Sequence, residues 1–329
     1  MTEREVVVAV DIGGTKVAAG VVDSTGEILF KTQVTMRTTG TAQEAMDCVH
    51  TAIRAALANP HAARVSAIGV ASPGPLVLPA GIVAHTPNIS CWQDFPLGDA
   101  VRSVYGVPTV VDNDANAAGL AEALWGAGTG YNTVFYITLG TGIGTAFIIN
   151  GSLFYGRTRS APEGGHMTID FNAPSTCGCG KRGCVEGLAS GHAIARRARE
   201  LLVNRTVPRT FAWDSDLQRV TARTVEEAWR AGDPLATRVL TETADVLAVW
   251  IGNIIDLVEP DAIVVGGGLA GLASEWFGRI RERLPECSML PGAAGTPIKL
   301  ARYGADAGVT GAAAICFTRE EEPVAPVRR

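Results

Sequence analysis

The chain has 329 residues, of which 47% are hydrophobic and 19% are charged, and its formal net charge at pH 7 is -5. This balance is typical of a soluble globular protein with a full core, and the length suits two domains of ordinary size. A net negative chain offers no basic stripe to neutralise nucleic-acid phosphates, so the composition argues against nucleic acid as a partner.

The amino-terminal segment carries Glu3, Arg4 and Glu5 and then enters a strand-like run, without the apolar stretch and cleavage site of a signal peptide. The most apolar later segment, residues 245–258, is interrupted by Asn253 and is too short to cross a bilayer. We therefore expect a cytoplasmic protein that makes no membrane contact.

Taken in chain order, the hydrophobic periodicity predicts an α/β protein. Strand-like runs and helical patterns alternate along most of the chain. Segments 5–29 and 132–151 each show β-branched runs on both sides of a glycine turn, strands are predicted at 65–71, 108–112 and 261–265, and helices at 41–58, 115–126 and 234–260. A further helix is predicted after the glycine turn that begins at Gly266.

Two segments about one domain's length apart resemble each other. Residues 8–22 read VAVDIGGTKVAAGVV and residues 136–149 read YITLGTGIGTAFII, so each places a glycine-threonine turn between two β-branched runs. Such an internal echo predicts two similar α/β domains that face a cleft.

The paired glycine turns are the first chemical signal. A turn without Cβ atoms lets backbone N–H groups approach phosphate oxygens, and Thr15 and Thr141 add hydroxyl donors. Strand-like sequence follows each turn and GxxxxGK[ST] is absent, so neither is a Walker A loop. Either turn alone is equally well explained as a tight hairpin, but together they favour a nucleotide.

A dinucleotide site is the alternative, because Gly266, Gly268 and Gly271 form a GxGxxG pattern between a strand and a helix. The acidic residue that would hold a ribose is missing from the next strand, at 297–304, and the pattern comes late in the chain. The sequence therefore favours a mononucleotide over NAD.

The segment VVDNDANAAGLAEA places Asp112, Asn113 and Asp114 where a strand gives way to a helix. The helix dipole favours a carboxylate there, so Asp114 is expected to be ionised at neutral pH and able to accept a proton. The alternative is a structural helix cap, for which Asp and Asn are the usual residues.

Three cysteines lie within the segment CGCGKRGCVE, residues 177–186. The chain has seven cysteines, an odd number, and thiols of an intracellular protein are normally reduced, so a disulfide framework is a poor explanation. The close, glycine-separated spacing of the three thiols favours metal binding.

Together these segments resemble the ROK family, which groups sugar kinases and related repressors. The resemblance rests on DIGGTK at 11–16, DNDANAAGLAE at 112–122, LGTGIG at 139–144, PEGGH at 162–166, CGCGKRGCVE at 177–186 and VVGGG at 264–268. It implies an α/β protein with the actin-like ATPase (ribonuclease H-like) fold, two α/β domains around a cleft. We expect an amino-terminal domain over 1–115, completed by a helix near 305–318, a larger domain over 116–304, and a flexible tail over 319–329.

The resemblance also implies a structural zinc ion. In the zinc-containing kinases of this family, a histidine completes the site that the three cysteines form. The expected ligands here are His166, Cys177, Cys179 and Cys184. Three thiolates and one imidazole make a closed tetrahedral site with no position for water.

By the same resemblance, the sugar is held by Asn88, Asn113, Asp114, Glu163, His166 and Glu186. ATP, with Mg²⁺ positioned by Asp11, would be bound by a second set of residues. These are Asp11, Gly13, Gly14, Thr15, Lys16, Gly140, Thr141, Gly142, Gly144, Gly266, Gly267 and Gly268. Asp114 is the expected general base for the attacking hydroxyl.

The function that the resemblance implies is ATP-dependent phosphorylation of the 6-hydroxyl of glucose or a glucose-like sugar, in a homodimer or homotetramer. An amino-sugar or N-acetyl-hexosamine kinase is the alternative. Many relatives carry a bulky apolar residue where this chain has Gly164, so extra room for an N-acetyl group is expected if that position faces the sugar. A sugar-sensing regulator is disfavoured, because DIGGTK begins at residue 11 and leaves no room for a preceding DNA-binding region.

Overall fold

The computed structural model describes residues 4–86, 88–204 and 206–318. The tail expected over 319–329 lies outside the described residues. Within the described ranges, no helix is both long enough and apolar enough to span a membrane.

The first half of the chain builds a sheet with the strand order β3-β2-β1-β4-β8. Its strands are β1 (Val6–Ile12), β2 (Lys16–Asp23), β3 (Ile28–Thr35), β4 (Val65–Ser72) and β8 (Thr109–Asn113). The first three strands are antiparallel, whereas β1, β4 and β8 run parallel. β1 and β2 are almost entirely buried because their β-branched and small residues contact helices on both faces of the sheet.

The second half builds a sheet in the same way, with the order β11-β10-β9-β12-β13. Its strands are β9 (Thr133–Leu139), β10 (Ile143–Ile149), β11 (Ser152–Leu153), β12 (Ala262–Gly266) and β13 (Ile298–Leu300). β9 to β11 are antiparallel, and β9, β12 and β13 are parallel. The similarity between residues 8–22 and 136–149 therefore reflects a sheet topology that occurs twice in the molecule.

A small third sheet, ordered β5-β6-β7, lies beside the first sheet. Its strands are β5 (Leu76–Val77), β6 (Ile82–His85) and β7 (Gln93–Phe95). It comes between β4 and β8 in the chain and carries the segment that leads to Asn88.

The helices cover both sheets. In chain order they are α1 (Ala42–Leu57), α2 (Leu97–Tyr105), α3 (Asp114–Trp125), α4 (Val185–Ala189), α5 (Gly191–Asn204), α6 (Ala222–Arg230), α7 (Pro234–Val258), α8 (Ala270–Ser274), α9 (Phe277–Cys287) and α10 (Ala307–Phe317). A capping box between Thr41 and Glu44 starts α1, and the Asp233 side chain caps the predicted long helix α7.

Helices α3 and α10 form the layer between the two large sheets. Their alanine-rich faces share one buried cluster with small residues of both sheets, such as Ala9 and Ala71 from the first and Ala146 from the second. α10 packs on β1 and β4, and α3 packs on β10. The last described helix of the chain therefore contacts its first strand.

Glycine permits the close approach of these layers. A Cβ atom at Gly69 of β4 would lie 1.7 Å from the carbonyl oxygen of Ala312 in α10, and one at Gly311 would lie 2.4 Å from the carbonyl carbon of Ala117 in α3. Real side chains do not tolerate such distances. The spacing between the layers therefore depends on bare backbone at both positions.

Candidate active site

The predicted site residues lie where the strands of both sheets end. Asp11 comes near the end of β1 and Asn113 ends β8, while Gly266 ends β12. Gly140 to Gly142 form the turn that joins β9 to β10. Ligand sites of open α/β sheets lie at such carboxyl ends.

Asp114 is the first residue of α3, and the residue before it caps the helix. The Asn113 side-chain oxygen accepts hydrogen bonds from the amides of Ala115 at 2.9 Å and Asn116 at 3.3 Å. The alternative role of Asp114 as the helix cap is therefore wrong. Its Oδ1 accepts from the Ala115 amide at 2.8 Å.

The environment of Asp114 shifts its pKa upward. Its side chain touches solvent in the cleft, yet protein surrounds it closely, and this restricted hydration together with the nearby Asp11 carboxylate raises the pKa to about 6. The amide of Ala115 opposes the shift without cancelling it. The helix dipole thus does not dominate as the sequence suggested, although the carboxylate is still mostly ionised at pH 7.

Asp11 lies under the beginning of α10. A Cβ atom at Gly308 would come within 2.2 Å of the Asp11 carboxyl carbon, so the helix backbone approaches this carboxylate directly. Burial raises the pKa of Asp11, while the charges of Lys16 and Lys31 oppose that shift. Asp11 and Asp114 therefore form a pair of carboxylates that a cation between them would stabilise.

The first glycine turn is a tight hairpin. The Gly13 amide donates to the carbonyl of Lys16 at 2.9 Å, and Thr15 is exposed at the tip. A Cβ atom at Gly14 would lie 3.3 Å from that of Asn88. The turn therefore brings Asn88, predicted to bind the sugar, next to the predicted phosphate-binding backbone.

The second glycine turn lies beside the VVGGG segment. The Gly140 amide donates to the Gly142 carbonyl at 3.0 Å, and a Cβ atom at Gly140 would lie 4.0 Å from the amide nitrogen of Gly268. Gly267 has a φ of +90°, which favours glycine. Gly144 packs against Ala115 at the start of α3, so this turn, the glycine segment and the helix that carries Asp114 are neighbours.

Glu163, His166 and Glu186 converge on one wall of the cleft. Nε2 of His166 lies 3.9 Å from Oε2 of Glu163, and its Nδ1 lies 3.8 Å from Oε1 of Glu186. The other oxygen of Glu186 accepts from the Ile143 amide at 2.9 Å. This hydrogen bond connects Glu186, and with it this wall of the cleft, to the second glycine turn.

Thr145 of β10 fixes the backbone on both sides of Glu163. Its hydroxyl donates to the Pro162 carbonyl at 3.0 Å and accepts from the Gly164 amide at 2.9 Å. A Cβ atom at Gly164 would lie 3.0 Å from the Thr145 hydroxyl and 3.5 Å from the Phe135 ring. Gly164 thus faces the core rather than the sugar, and the expectation that it leaves extra room in the pocket is wrong.

The four predicted zinc ligands form one cluster. One ligand atom from each of His166, Cys177, Cys179 and Cys184 lies within 4.8 Å of the others. The Sγ atoms of Cys179 and Cys184 are 3.7 Å apart, and Nδ1 of His166 lies 3.6 Å from Sγ of Cys177. With zinc-ligand bonds of about 2.0–2.3 Å, one tetrahedrally coordinated zinc ion accounts for separations of this size between its ligand atoms.

The sequence did not single out two further polar residues of the cleft, Tyr155 and Arg159. Tyr155 donates a hydrogen bond to Asp112, and the Arg159 guanidinium lies over the Tyr155 ring. Arg159 also lines a cavity with Asn113 and Glu163. Both residues lie in a loop of irregular structure, where neither periodicity nor a motif indicated a role.

Comparisons with known proteins find a family match and similar relatives. The family model described as "ROK family" matches residues 7–319. A glucokinase from Streptomyces coelicolor is 34% identical over 324 residues, covering 96% of this chain and 98% of the relative. An N-acetylmannosamine kinase from Yersinia pseudotuberculosis is 32% identical over 306 residues, covering 93% and 96%.

A solved structure is similar over the same extent. The crystal structure of a ROK family glucokinase from Streptomyces griseus in complex with glucose and AMPPNP superposes with a TM-score of 0.76 at 34% identity. The match covers 94% of this chain and 98% of that chain. A kinase that holds a sugar and an ATP analogue therefore has the fold described here.

Proposed function

The chain belongs to the ROK family and is a hexose or amino-sugar kinase; from this premise we propose that it transfers the γ-phosphoryl group of ATP to the 6-hydroxyl of a glucose-like hexose. One observation carries the proposal. Asp114, with a pKa raised to about 6, lies at the start of α3, next to both the second glycine turn and the first sheet. A carboxylate of this kind can take a proton from a sugar hydroxyl at neutral pH.

In the proposed reaction, the sugar oxygen attacks the γ-phosphorus while Asp114 accepts the hydroxyl proton. A bond forms between the sugar oxygen and phosphorus, the bond from the γ-phosphorus to the β,γ-bridging oxygen breaks, and ADP leaves with that electron pair. Backbone amides of the two glycine turns, with Thr15 and Thr141, hold the phosphates in line. Glycines 266–268 would lie along the adenosine.

Asp11 would position Mg²⁺, which neutralises phosphate charge when it is bound. Burial and the neighbouring Asp114 make an uncompensated carboxylate costly here, so the residues present fit a divalent cation. The charges of Lys16 and Lys31 oppose the rise that burial causes in the pKa of Asp11 and so favour its anionic form.

The proposed sugar site combines polar side chains from both halves of the molecule. Asn88 and Asn113 come from the first half, and Glu163, His166 and Glu186 from the second. The amide and carboxylate oxygens accept hydrogen bonds, which suits a ligand whose many hydroxyls donate them. Because Nδ1 of His166 faces the cysteines, Nε2 is the nitrogen that remains for a sugar hydroxyl.

Zinc fits the cluster of His166, Cys177, Cys179 and Cys184. Burial raises the pKa of the Cys177 and Cys184 thiols, so both need a compensating cation to be thiolates. Four protein ligands leave no position for water, and the ion would therefore be structural. Its role would be to hold the loop that orients His166 and Glu186.

Glucose is the first candidate substrate, since glucokinases are among the relatives. The similarity to an N-acetylmannosamine kinase favours an amino-sugar or N-acetyl-hexosamine as the second. Glu163 and Glu186 could accept hydrogen bonds from an ammonium group, and such charge-assisted bonds are stronger than neutral ones. Because Gly164 faces the core, it adds no argument for an N-acetyl group.

We further propose a cytoplasmic homodimer or homotetramer that binds sugar and ATP and no nucleic acid. A sugar-responsive regulator of the same family is the alternative from another class. Sequence-specific DNA binding at physiological salt in a gel-shift assay, without phosphoryl transfer, would favour that alternative.

The proposal is tested by measuring kcat/KM with fixed Mg-ATP for glucose, glucosamine, N-acetylglucosamine, N-acetylmannosamine, mannose and fructose. NMR of the product identifies the phosphorylated hydroxyl. Asp114→Asn is the matched control, and we expect it to bind ATP while kcat falls by about 10²–10⁴-fold. Preference for fructose, phosphorylation elsewhere than the 6-position, or near-normal kcat in the variant would contradict the proposal.

A further inference from the structure

The loop between β11 and Glu163 is joined to the end of β8 by one partly buried hydrogen bond. The Tyr155 hydroxyl donates to Oδ2 of Asp112 at 2.5 Å, although the two residues are 43 positions apart. The other oxygen, Oδ1, accepts from the Asn113 amide at 2.7 Å and from Nδ2 of Asn116 at 2.9 Å. Both carboxylate oxygens of Asp112 are therefore engaged.

Asp112 depends on these donors because it is only 2% exposed. Burial raises its pKa, and the Tyr155 hydroxyl, the Asn116 amide and the Arg159 charge oppose that shift. A buried carboxylate that loses one donor is costly, so the chain on either side must keep the geometry that supplies it.

The loop itself is closed around Tyr155. The Ala161 amide donates to the Tyr155 carbonyl at 3.1 Å, and the Arg159 guanidinium carbon lies 4.1 Å from the centre of the Tyr155 ring. Arg159 has a φ of +61°, which is uncommon for a residue other than glycine. Backbone strain of this kind persists where the surroundings impose it, often at functional sites.

The two ends of this contact carry two walls of the proposed sugar pocket. Asp112 directly precedes Asn113, and the loop that begins at Tyr155 leads to Glu163. Arg159, Asn113 and Glu163 line the same cavity, together with Leu76 and Leu78. The hydrogen bond therefore fixes the distance between the two walls.

We propose that Tyr155 is a positioning residue that sets the width of the sugar pocket through its bond to Asp112, with Arg159 holding the Tyr155 ring in place. The inference rests on the proposed kinase activity. Asp114 is held by its own helix and by the Asn113 cap, so loss of the Tyr155 hydroxyl should release the loop that carries Glu163 without moving the base.

The test is Tyr155→Phe, which keeps the ring under Arg159 and removes only the hydroxyl. We expect the KM for the preferred hexose and its calorimetric Kd to rise about tenfold, the scale of a lost hydrogen bond to a charged group. The KM for Mg-ATP should stay within about twofold and kcat within about threefold. Tyr131→Phe, just before β9, is the matched control and should leave all four values unchanged.

Asp112→Asn, alone and combined with Tyr155→Phe in a double variant, decides whether Tyr155 and Asp112 act as one unit. If it does, the double variant raises the hexose KM no further than the more harmful single variant. An unchanged hexose KM in Tyr155→Phe, equal rises for hexose and Mg-ATP, or additive effects in the double variant would overturn the inference. Absence of kinase activity in the unmodified protein would instead contradict the proposed function.

Discussion

At the scale of single residues, Asp114 is subject to opposing influences. Its position at the start of α3 favours the ionised form, whereas restricted hydration and the Asp11 charge favour the protonated form. Restricted hydration and the Asp11 charge outweigh the helix position and bring the pKa of Asp114 to about 6. The residue is therefore a stronger base than an ordinary aspartate, yet remains mostly ionised at neutral pH.

The first prediction concerns the acid limb of the pH profile. Asp114 must be ionised to accept a proton, so kcat/KM should fall tenfold per pH unit as the pH drops below about 6, the raised pKa. The measurement is kcat/KM for the preferred hexose from pH 4.5 to 8.5 at saturating Mg-ATP. An acid limb near pH 4 would mean that Asp114 titrates as an ordinary aspartate and would contradict the assigned environment.

The second prediction concerns stability. A pKa raised above its ordinary value means that the folded protein disfavours the ionised carboxylate. This penalty is fully present above about pH 6, and it disappears as the pH falls to the pKa that Asp114 has in the unfolded chain. Asp114→Asn should therefore raise the Tm at pH 7.5. Because Asp114 touches solvent, we take the penalty as only about 1 kcal/mol, which corresponds to a rise in Tm of roughly 2–4 °C.

The check is calorimetry of both proteins at pH 7.5 and pH 4.5. The difference in Tm should shrink at the lower pH, because the native Asp114 is then already neutral. A variant that is less stable than the unmodified protein at pH 7.5 would show that the carboxylate contributes favourable contacts rather than strain.

At the scale of elements, Glu186 couples the cysteine loop to the second glycine turn. It follows Cys184 by two residues, and its Oε2 accepts from the Ile143 amide. A Cβ atom at Gly142 would lie 2.5 Å from that oxygen, so the turn fits closely against the carboxylate. A disturbance of the metal cluster should therefore reach both substrate sites.

The third prediction follows from this coupling. Cys179 is exposed, so Cys179→Ser should remove a metal ligand without damage to the core. We expect the zinc content to fall from about one per chain, and the KM values for both hexose and Mg-ATP to rise at least tenfold. Cys48→Ser in α1 is the control and should leave the zinc content and both KM values unchanged.

Elemental analysis and steady-state kinetics provide the readout. Protein prepared without chelators that contains no zinc and is fully active would exclude a structural ion. A rise in the hexose KM alone would show that the link through Glu186 does not reach the phosphate turn.

At the scale of the whole molecule, the layer of α3 and α10 joins the two sheets. Both helices present alanine and glycine to each other, and Gly311 touches the backbone of Ala117. Close packing of this kind leaves little space for added atoms. The geometry of the cleft should therefore be sensitive to volume at this interface.

The fourth prediction compares two glycine-to-alanine substitutions within helices. Gly311→Ala in α10 places a methyl group about 2.4 Å from the Ala117 backbone and should lower the free energy of unfolding by about 1–3 kcal/mol. Gly278→Ala in α9 meets nothing within 4 Å and should raise it by up to about 1 kcal/mol. Urea unfolding of both variants tests the difference in sign, and a neutral Gly311→Ala would show that the layers can separate at little cost.

Local sequence predicted the parts of this molecule that depend on local chemistry. The glycine turns, the strand before Asp114 and the cysteine spacing each have a short-range physical cause, and the strands around them are confirmed. The bond from Tyr155 to Asp112 was not predictable, because it forms only when two irregular segments meet in the folded chain. The orientation of Gly164 likewise depends on Thr145, which lies 19 residues away.

The contact between α10 and β1 has a consequence for protein synthesis. Most of the described chain lies between β1 and α10, yet each covers apolar surface of the other. While the ribosome is still making the segments between them, the face of the first sheet that carries Val7 and Ala9 lacks this cover. Domains often complete folding during translation; here the first sheet needs α10 for that step, so we expect the partly synthesised chain to expose apolar surface that a chaperone can bind.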